Sequence, residues 1–194
     1  MFKKVNCILQ VIYFIFFISL INFSCSSGKG IYDKVPFDRI TLTKNDTLIQ
    51  FYTKPVDDKA PSNIAEDRLY TWYRADSILV TRGSYSGKLL HGDYLELFPN
   101  RALKQKGKYS NGLKEGKWQS WFQNGERESV ITWNNGVKVG KFELYNAEGK
   151  LQKNGNYKAG KEDGEFSDFQ PNGKTHKITY KQGAIIRDTI INKM

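Results

Sequence analysis

Cysteine is almost missing from this chain. Only Cys7 and Cys25 carry a thiol, both near the amino terminus, so everything after Cys25 must hold together by packing and hydrogen bonds without a disulfide. Histidine is as scarce. His91 and His176 stand far apart, with no cysteine or tight carboxylate set beside them, which is no zinc-site spacing. No nucleophile elbow, phosphate loop or HExxH pattern occurs. These absences set the expectation of a non-enzymatic protein with no catalytic residue, no metal and no cofactor. Acidic charge is the minority sign, 20 Asp and Glu against 30 Lys and Arg. Between Arg101 and Lys161 there are 13 basic residues and 5 acidic ones, a balance that favours acidic partners such as anionic lipid, phosphorylated glycan or acidic polymer.

What the chain has is glycine at a fixed interval. Gly92, Gly116, Gly140 and Gly164 follow one another every 24 residues, and aromatic columns keep the same step. Tyr94, Trp118, Phe142 and Phe166 form one column, Leu97, Trp121, Tyr145 and Phe169 a second, and Tyr85, Tyr109, Trp133 and Tyr157 a third. Asn100, Asn124, Glu148 and Asn172 follow, completed by Gly125, Gly149 and Gly173, with Arg101 as the exception. A tandem repeat is a stack of like supersecondary units, which lowers the expectation of a single buried catalytic pocket. Short strand-like runs alternate with Asn-Gly turns, so each unit reads as one antiparallel hairpin plus a link. The expected fold is all-β: tandem 24-residue hairpins in an elongated, twisted, single-layer sheet over residues 68–194, with a small N-terminal cap over 31–67. Within the cap, Arg39 to Lys54 reads as a hairpin turning at Lys44-Asn45-Asp46, and Asn63 with Glu66 as the cap of one helical turn. Tyr70, Tyr73 and Asp76 extend the register one degenerate repeat upstream, and Tyr180 restarts it one residue early downstream.

At its start the chain has Lys3 and Lys4, then a stretch from Cys7 to Phe23 that is apolar except for Gln10, Ser19 and Asn22, rather short for a spanning helix. Asn22-Phe23-Ser24-Cys25 resembles the lipobox of bacterial lipoproteins. Ser24 and Cys25 match it, whereas Asn22 stands where leucine is usual and Phe23 is bulky. The resemblance implies a signal peptide over 1–24, cleavage before Cys25, lipidation of Cys25, and a tether over 25–30. The expected location is the cell envelope, periplasmic, outer-membrane or surface, with the membrane engaged through lipidated Cys25. Export argues against nucleic acid as a partner, although the charge alone permits it.

The core Gly107-x-Tyr109-x-Asn111-Gly112-x-x-x-Gly116-x-Trp118-x-x-Trp121-x-x-Asn124-Gly125 resembles the MORN-repeat family, in the variant common in bacterial exported proteins and sometimes labelled putative antitoxin repeats. The resemblance covers about Arg68 to Ile191, with departures at Ile131 and Lys88. It implies a run of antiparallel hairpins used for scaffolding and for contacts with membranes or proteins. Comparing equivalent positions tests candidate sites. His91 shares its column with Glu115, Val139 and Asp163, and His176 with Gln152, Glu128 and Lys104, so neither reads as catalytic. The acidic cluster Glu162, Asp163, Glu165 and Asp168 is not repeated either. Trp118, Trp121 and Trp133 beside Lys117 and Lys141 are the candidate binding residues, for a protein partner or an anionic envelope component. The competing reading makes these rings the burial of a sheet that has no second layer. The functional expectations are a protein-binding or scaffolding lipoprotein, an antitoxin or immunity-type inhibitor, or a glycan- or anionic-lipid-binding module.

Overall fold

The computed structural model describes residues 37–54 and 63–192. The expected signal segment, Cys25 and the expected tether lie outside them. Among the described residues there is no helix, and fourteen strands pair antiparallel throughout. Two hairpins come first: β1 (Asp38–Lys44) with β2 (Thr47–Thr53), and β3 (Leu69–Arg74) with β4 (Ser77–Arg82). The repeats supply β5 (Lys88–Leu97), β6 (Leu103–Ser110), β7 (Leu113–Trp121), β8 (Arg127–Asn134), β9 (Val137–Tyr145) and β10 (Leu151–Lys158). The short β11 (Lys161–Glu162), β12 (Gly164–Phe169), β13 (Lys174–Lys181) and β14 (Ala184–Asn192) complete the chain. The sheet is open, running β1-β2-β5-β6-β7-β8-β9-β10-β12-β13-β14.

The expected hairpin over Arg39–Lys54 forms and pairs directly with the first clear repeat, Phe51 opposite Tyr94 and Leu48 opposite Leu97. It thereby takes the edge of β5 that the 24-residue register assigns to the degenerate repeat. That repeat, β3–β4, branches off and meets β5 only at Trp72 opposite Leu89 and Tyr73 opposite Lys88. The expected single open sheet of hairpins forms, and at this branch it gains local cover: Tyr73 and Ile78 pack onto Phe51, Leu90, Tyr94, Tyr109 and Trp118, to which Ile40, Leu42 and Ile49 of β1 and β2 add. A row of apolar side chains from a hairpin outside the register needs a lid, and the branch supplies it. The helical turn expected at Asn63–Glu66 is instead a plain turn, with the Arg68 N–H donating to the Ala65 carbonyl at 3.2 Å.

Each repeat glycine faces an aromatic residue across the sheet: Gly92 opposite Tyr109, Gly116 opposite Trp133, Gly140 opposite Tyr157 and Gly164 opposite Tyr180. All four have positive φ, and at Gly116, Gly140 and Gly164 an added Cβ meets nothing within 4 Å. These positions need glycine for its backbone conformation, which lets the strand bulge against its predecessor. Gly107 is different. A Cβ there runs into the Trp118 ring, which lies flat across the bare backbone. The rings form two stacks, Tyr94–Tyr109–Trp118 and Phe142–Tyr157–Phe166–Tyr180, with neighbouring centroids 4.9 to 5.8 Å apart.

A second irregularity explains the early restart at Tyr180. In the first three repeats the returning strand carries one unopposed residue, Lys104, Glu128 or Gln152, between the pairs Leu97–Leu103 and Glu96–Gln105 and their equivalents. β13 lacks it: Phe169–Thr175 is followed at once by Asp168–His176. His176 therefore leaves the column that sequence spacing gives it and stands where the earlier repeats have Gln105, Ser129 and Lys153.

Candidate functional site

Strand alternation sorts the side chains onto two faces. Tyr94, Trp118, Phe142 and Phe166 all point to the buried face. Their strand neighbours point the other way, where β1, β2, β5, β6 and β7 together form an open trough of about 510 Å³. Arg39, Gln50, Tyr52, Leu95, Lys106 and Lys117 line it. Tyr52 and Leu95 give it apolar surface, and its charged lining is mixed, with Asp93 and Glu115 beside the basic residues.

Most polar groups around the trough have partners. Arg39 Nη2 donates to Gln50 Oε1 at 3.2 Å, and Lys108 Nζ lies 3.5 Å from Asp93 Oδ1. Glu115 Oε2 accepts the Asn135 N–H at 2.8 Å. Lys106 and Lys117 have no ion pair among the described residues, and Lys106 Nζ sits 5.5 Å from the Trp121 ring centroid. The column through Lys117 reads Asp93, Lys117, Lys141, Glu165, one residue per repeat. Its acidic ends are paired, Asp93 with Lys108 and Glu165 with Lys177 at 2.8 Å, while the two exposed lysines between them have no ion pair among the described residues. The result is a positive centre on this face.

The five residues singled out in the sequence divide between the faces. Trp121, Lys117 and Lys141 share the polar face. Trp118 is a core residue, 3 % exposed, with its Nε1–H donating to the Lys108 carbonyl at 3.1 Å, so it offers a partner no surface. Trp133 lies on the same side as Trp118, half-buried between the ammonium groups of Lys114 at 5.2 Å and Lys138 at 5.8 Å. Burial holds the Lys114 ammonium below the usual lysine range, with Lys138 adding to the effect. Arg39, Gln50 and Tyr52 are the residues that sequence reasoning missed. They stand outside the repeat register, and only the long-range pairing of β2 with β5 brings them to Lys106 and Lys117.

The remaining candidates serve the turns. His91 Nδ1 accepts the Asn111 N–H at 3.2 Å, as Glu115 does for Asn135 and Asp163 for Gln182 at 3.3 Å. This shared task explains why His, Glu and Asp exchange in one column. Beside each, the turn glycine N–H of Gly112, Gly136, Gly160 or Gly183 donates to a carbonyl of the preceding repeat, Leu90, Lys114, Lys138 or Glu162. The acidic cluster disperses: Glu165 pairs with Lys177, Asp168 with Lys153 at 3.2 Å, and Asp163 holds a turn. Among the described residues no group of three or more His, Cys, Asp or Glu is placed to hold a metal ion.

Compared with known proteins, the chain matches no protein-family model and no curated protein.

Proposed function

We propose that this chain is a non-enzymatic, membrane-anchored envelope lipoprotein of MORN-repeat type, held by lipidated Cys25, whose sheet is a protein-binding or scaffolding surface. One observation carries the reading: the trough is lined by Lys106 and Lys117, which have no ion pair among the described residues, with Trp121 beside Lys106 and Lys141 next in the column of Lys117. An extended acidic segment of a partner protein suits it, because a trough across several strands follows a chain, and Lys106, Lys117 and Lys141 have no ion pair among the described residues. A glycan is a weaker fit, since the Lys106 ammonium already lies over the Trp121 ring that a sugar would stack on. An antitoxin or immunity-type inhibitor would use the same surface against a toxin.

The test is crosslinking and capture from membranes with the wild type, Cys25→Ser, and the triple charge reversal Lys106→Glu/Lys117→Glu/Lys141→Glu. The expected result is a defined protein partner that is recovered with the wild type, released by salt at about 0.5 M, where exposed charges are screened within a few ångströms, and lost with the triple variant. Cys25→Ser is expected to lower recovery by removing the anchor. A partner retained by the triple variant would show that the trough is not the contact. Vesicles containing phosphatidylglycerol that bind the wild type in the partner's place would favour the lipid reading. A captured toxin or enzyme that the chain inhibits would favour the inhibitor.

A further inference from the structure

Two lysines of the polar face stand one repeat apart. Lys117 on β7 and Lys141 on β9 are equivalent residues of successive repeats, with β8 between them in the sheet. Each precedes a core ring, Trp118 or Phe142, and so points away from the core, and both are exposed. Neighbouring strands lie about 4.8 Å apart, which separates the two positions by roughly 10 Å across the sheet. Neither lysine has an ion pair among the described residues, and Lys106 adds a second ammonium at the first of the two steps.

The column is closed at both ends. Asp93, one repeat before, and Glu165, one repeat after, are acidic, and each already holds a lysine, Lys108 or Lys177. Glu143 also lies on this face, between Lys141 and Tyr145. It accepts the Tyr145 hydroxyl at 2.7 Å, and Arg127 stands by the same hydroxyl. The column thus offers two cationic steps and no third.

Chain conformation decides which segments match that step. A β-strand presents one side every second residue, at about 6.7 Å or 13.4 Å, and misses it. Polyproline II has three residues per turn and rises about 3.1 Å per residue, so residues i and i+3 point the same way about 9.3 Å apart. An α-helix comes close with residues seven apart, about 10.5 Å, but helices dock in grooves that take a continuous apolar face. Here the apolar surface is narrow: Tyr52 and Leu95 in the trough, and half-buried Trp121 and Tyr145, which border the lysines at the same one-repeat step. Separate aromatic side chains at that step suit a polyproline II segment, which loses little freedom on binding.

On the footing of the protein-binding function proposed above, we infer that the partner segment is polyproline II with two acidic residues three apart. One meets Lys117 and Lys106, the other meets Lys141, and no acidic residue stands one step further on either side, where Asp93 and Glu165 would face it.

The probes are capped octapeptides of six prolines and two glutamates, with the glutamates three apart, two apart or adjacent, so that composition and charge are the same in all. Binding to the full-length chain in detergent micelles is read by fluorescence anisotropy at about 0.15 M salt. The isomer with glutamates three apart is expected to bind about tenfold more tightly than either of the others. Lys117→Ala/Lys141→Ala is expected to remove that preference with unchanged circular dichroism, and Lys181→Ala on β13 to leave it. Isomers that bind equally well, all weakened by loss of the two lysines, would overturn the spacing and leave an acidic partner segment standing. Binding of none would overturn both together. A preference that survives the double variant would place the contact elsewhere and overturn the inference, and tighter binding of an alanine-rich helical peptide with glutamates seven apart would overturn the polyproline conformation.

Discussion

Arg101 shows how far a single residue can be judged. The tight turns at the far end of each repeat carry one position of positive φ, filled by Gly125 at 90°, Gly149 at 74° and Gly173 at 81°, but by Arg101 at 68° in the first. A left-handed conformation costs a residue with a Cβ roughly 1–2 kcal/mol, and glycine returns about 0.5–1 kcal/mol of that through its freer unfolded chain. Arg101→Gly is therefore expected to stabilise the protein by about 0.5 kcal/mol, read as a higher urea midpoint at unchanged slope, and Gly125→Arg to destabilise it. A lower midpoint for Arg101→Gly would mean that the arginine makes a contact that offsets the strain. Tyr109 gives a prediction in pH. It is 7 % exposed, and burial pushes its hydroxyl up to about 12 against about 10 when unfolded. The folded state then holds this proton more tightly, so the stabilisation is complete below pH 10 and declines by about 2–3 kcal/mol as pH rises toward 12. Tyr94 shifts the same way, again chiefly by burial. Lys114 acts with the opposite sign: its depressed ammonium costs stability at neutral pH, a cost that fades as pH climbs toward the ordinary lysine value. Alkaline unfolding followed by circular dichroism is expected to move to higher pH in Tyr109→Phe, and an unmoved transition would remove Tyr109 from the account.

Elements were the most legible level, though unevenly. The glycine and aromatic columns predict the hairpins because each has a local cause: a positive φ at Gly116, a ring bed at Gly107, a turn at Asn111-Gly112. Asn100, Asn124 and Asn172 each accept an N–H two residues on, at 3.0 to 3.1 Å. In the third repeat Asn146 does this work from two positions earlier, accepting from Lys150 at 2.8 Å, which lets Glu148 break the column. The bulges at Lys104, Glu128 and Gln152 were invisible, since an unopposed residue asks for no side-chain type. The branching of β3–β4 was hidden for another reason. Tyr70 and Tyr73 keep the repeat spacing, but partner choice is settled by the apolar face that Ile49 and Phe51 bring from a distant hairpin. Trp118 and Trp121 on β7 test the two faces directly. Trp118→Ala is expected to cost about 3–5 kcal/mol, as for an aromatic removed from a core. Trp121→Ala is expected to cost far less and to weaken partner capture. Equal losses of stability in urea titrations would mean that both faces are core, which would take away the binding surface.

For the molecule as a whole, the decisive property is that its apolar contacts are arranged in series. Phe51, Leu90, Tyr94, Tyr109 and Trp118 form a cluster under the β3–β4 lid, whereas Phe142, Tyr157, Phe166 and Tyr180 touch mainly one another. Among the described residues no ring pair joins the two stacks. Lys138 lies between Trp133, which packs against the first cluster, and Tyr157 of the second stack, its Nζ 5.8 Å from the one ring centroid and 5.0 Å from the other. In such an array stability is close to a sum of neighbour terms, and parts can open separately. Phe166→Ala removes the ring that contacts Phe142, Tyr157 and Tyr180 at once. It is expected to speed amide hydrogen exchange across β12 to β14 by about a hundredfold, the equivalent of roughly 3 kcal/mol of local stability, while β5 to β7 keep their protection. Phe51→Ala is expected to act in reverse, loosening β1 to β5 and sparing β12 to β14. If either substitution accelerates exchange evenly along the chain, the sheet opens as one cooperative body and the serial arrangement of its contacts does not govern its stability.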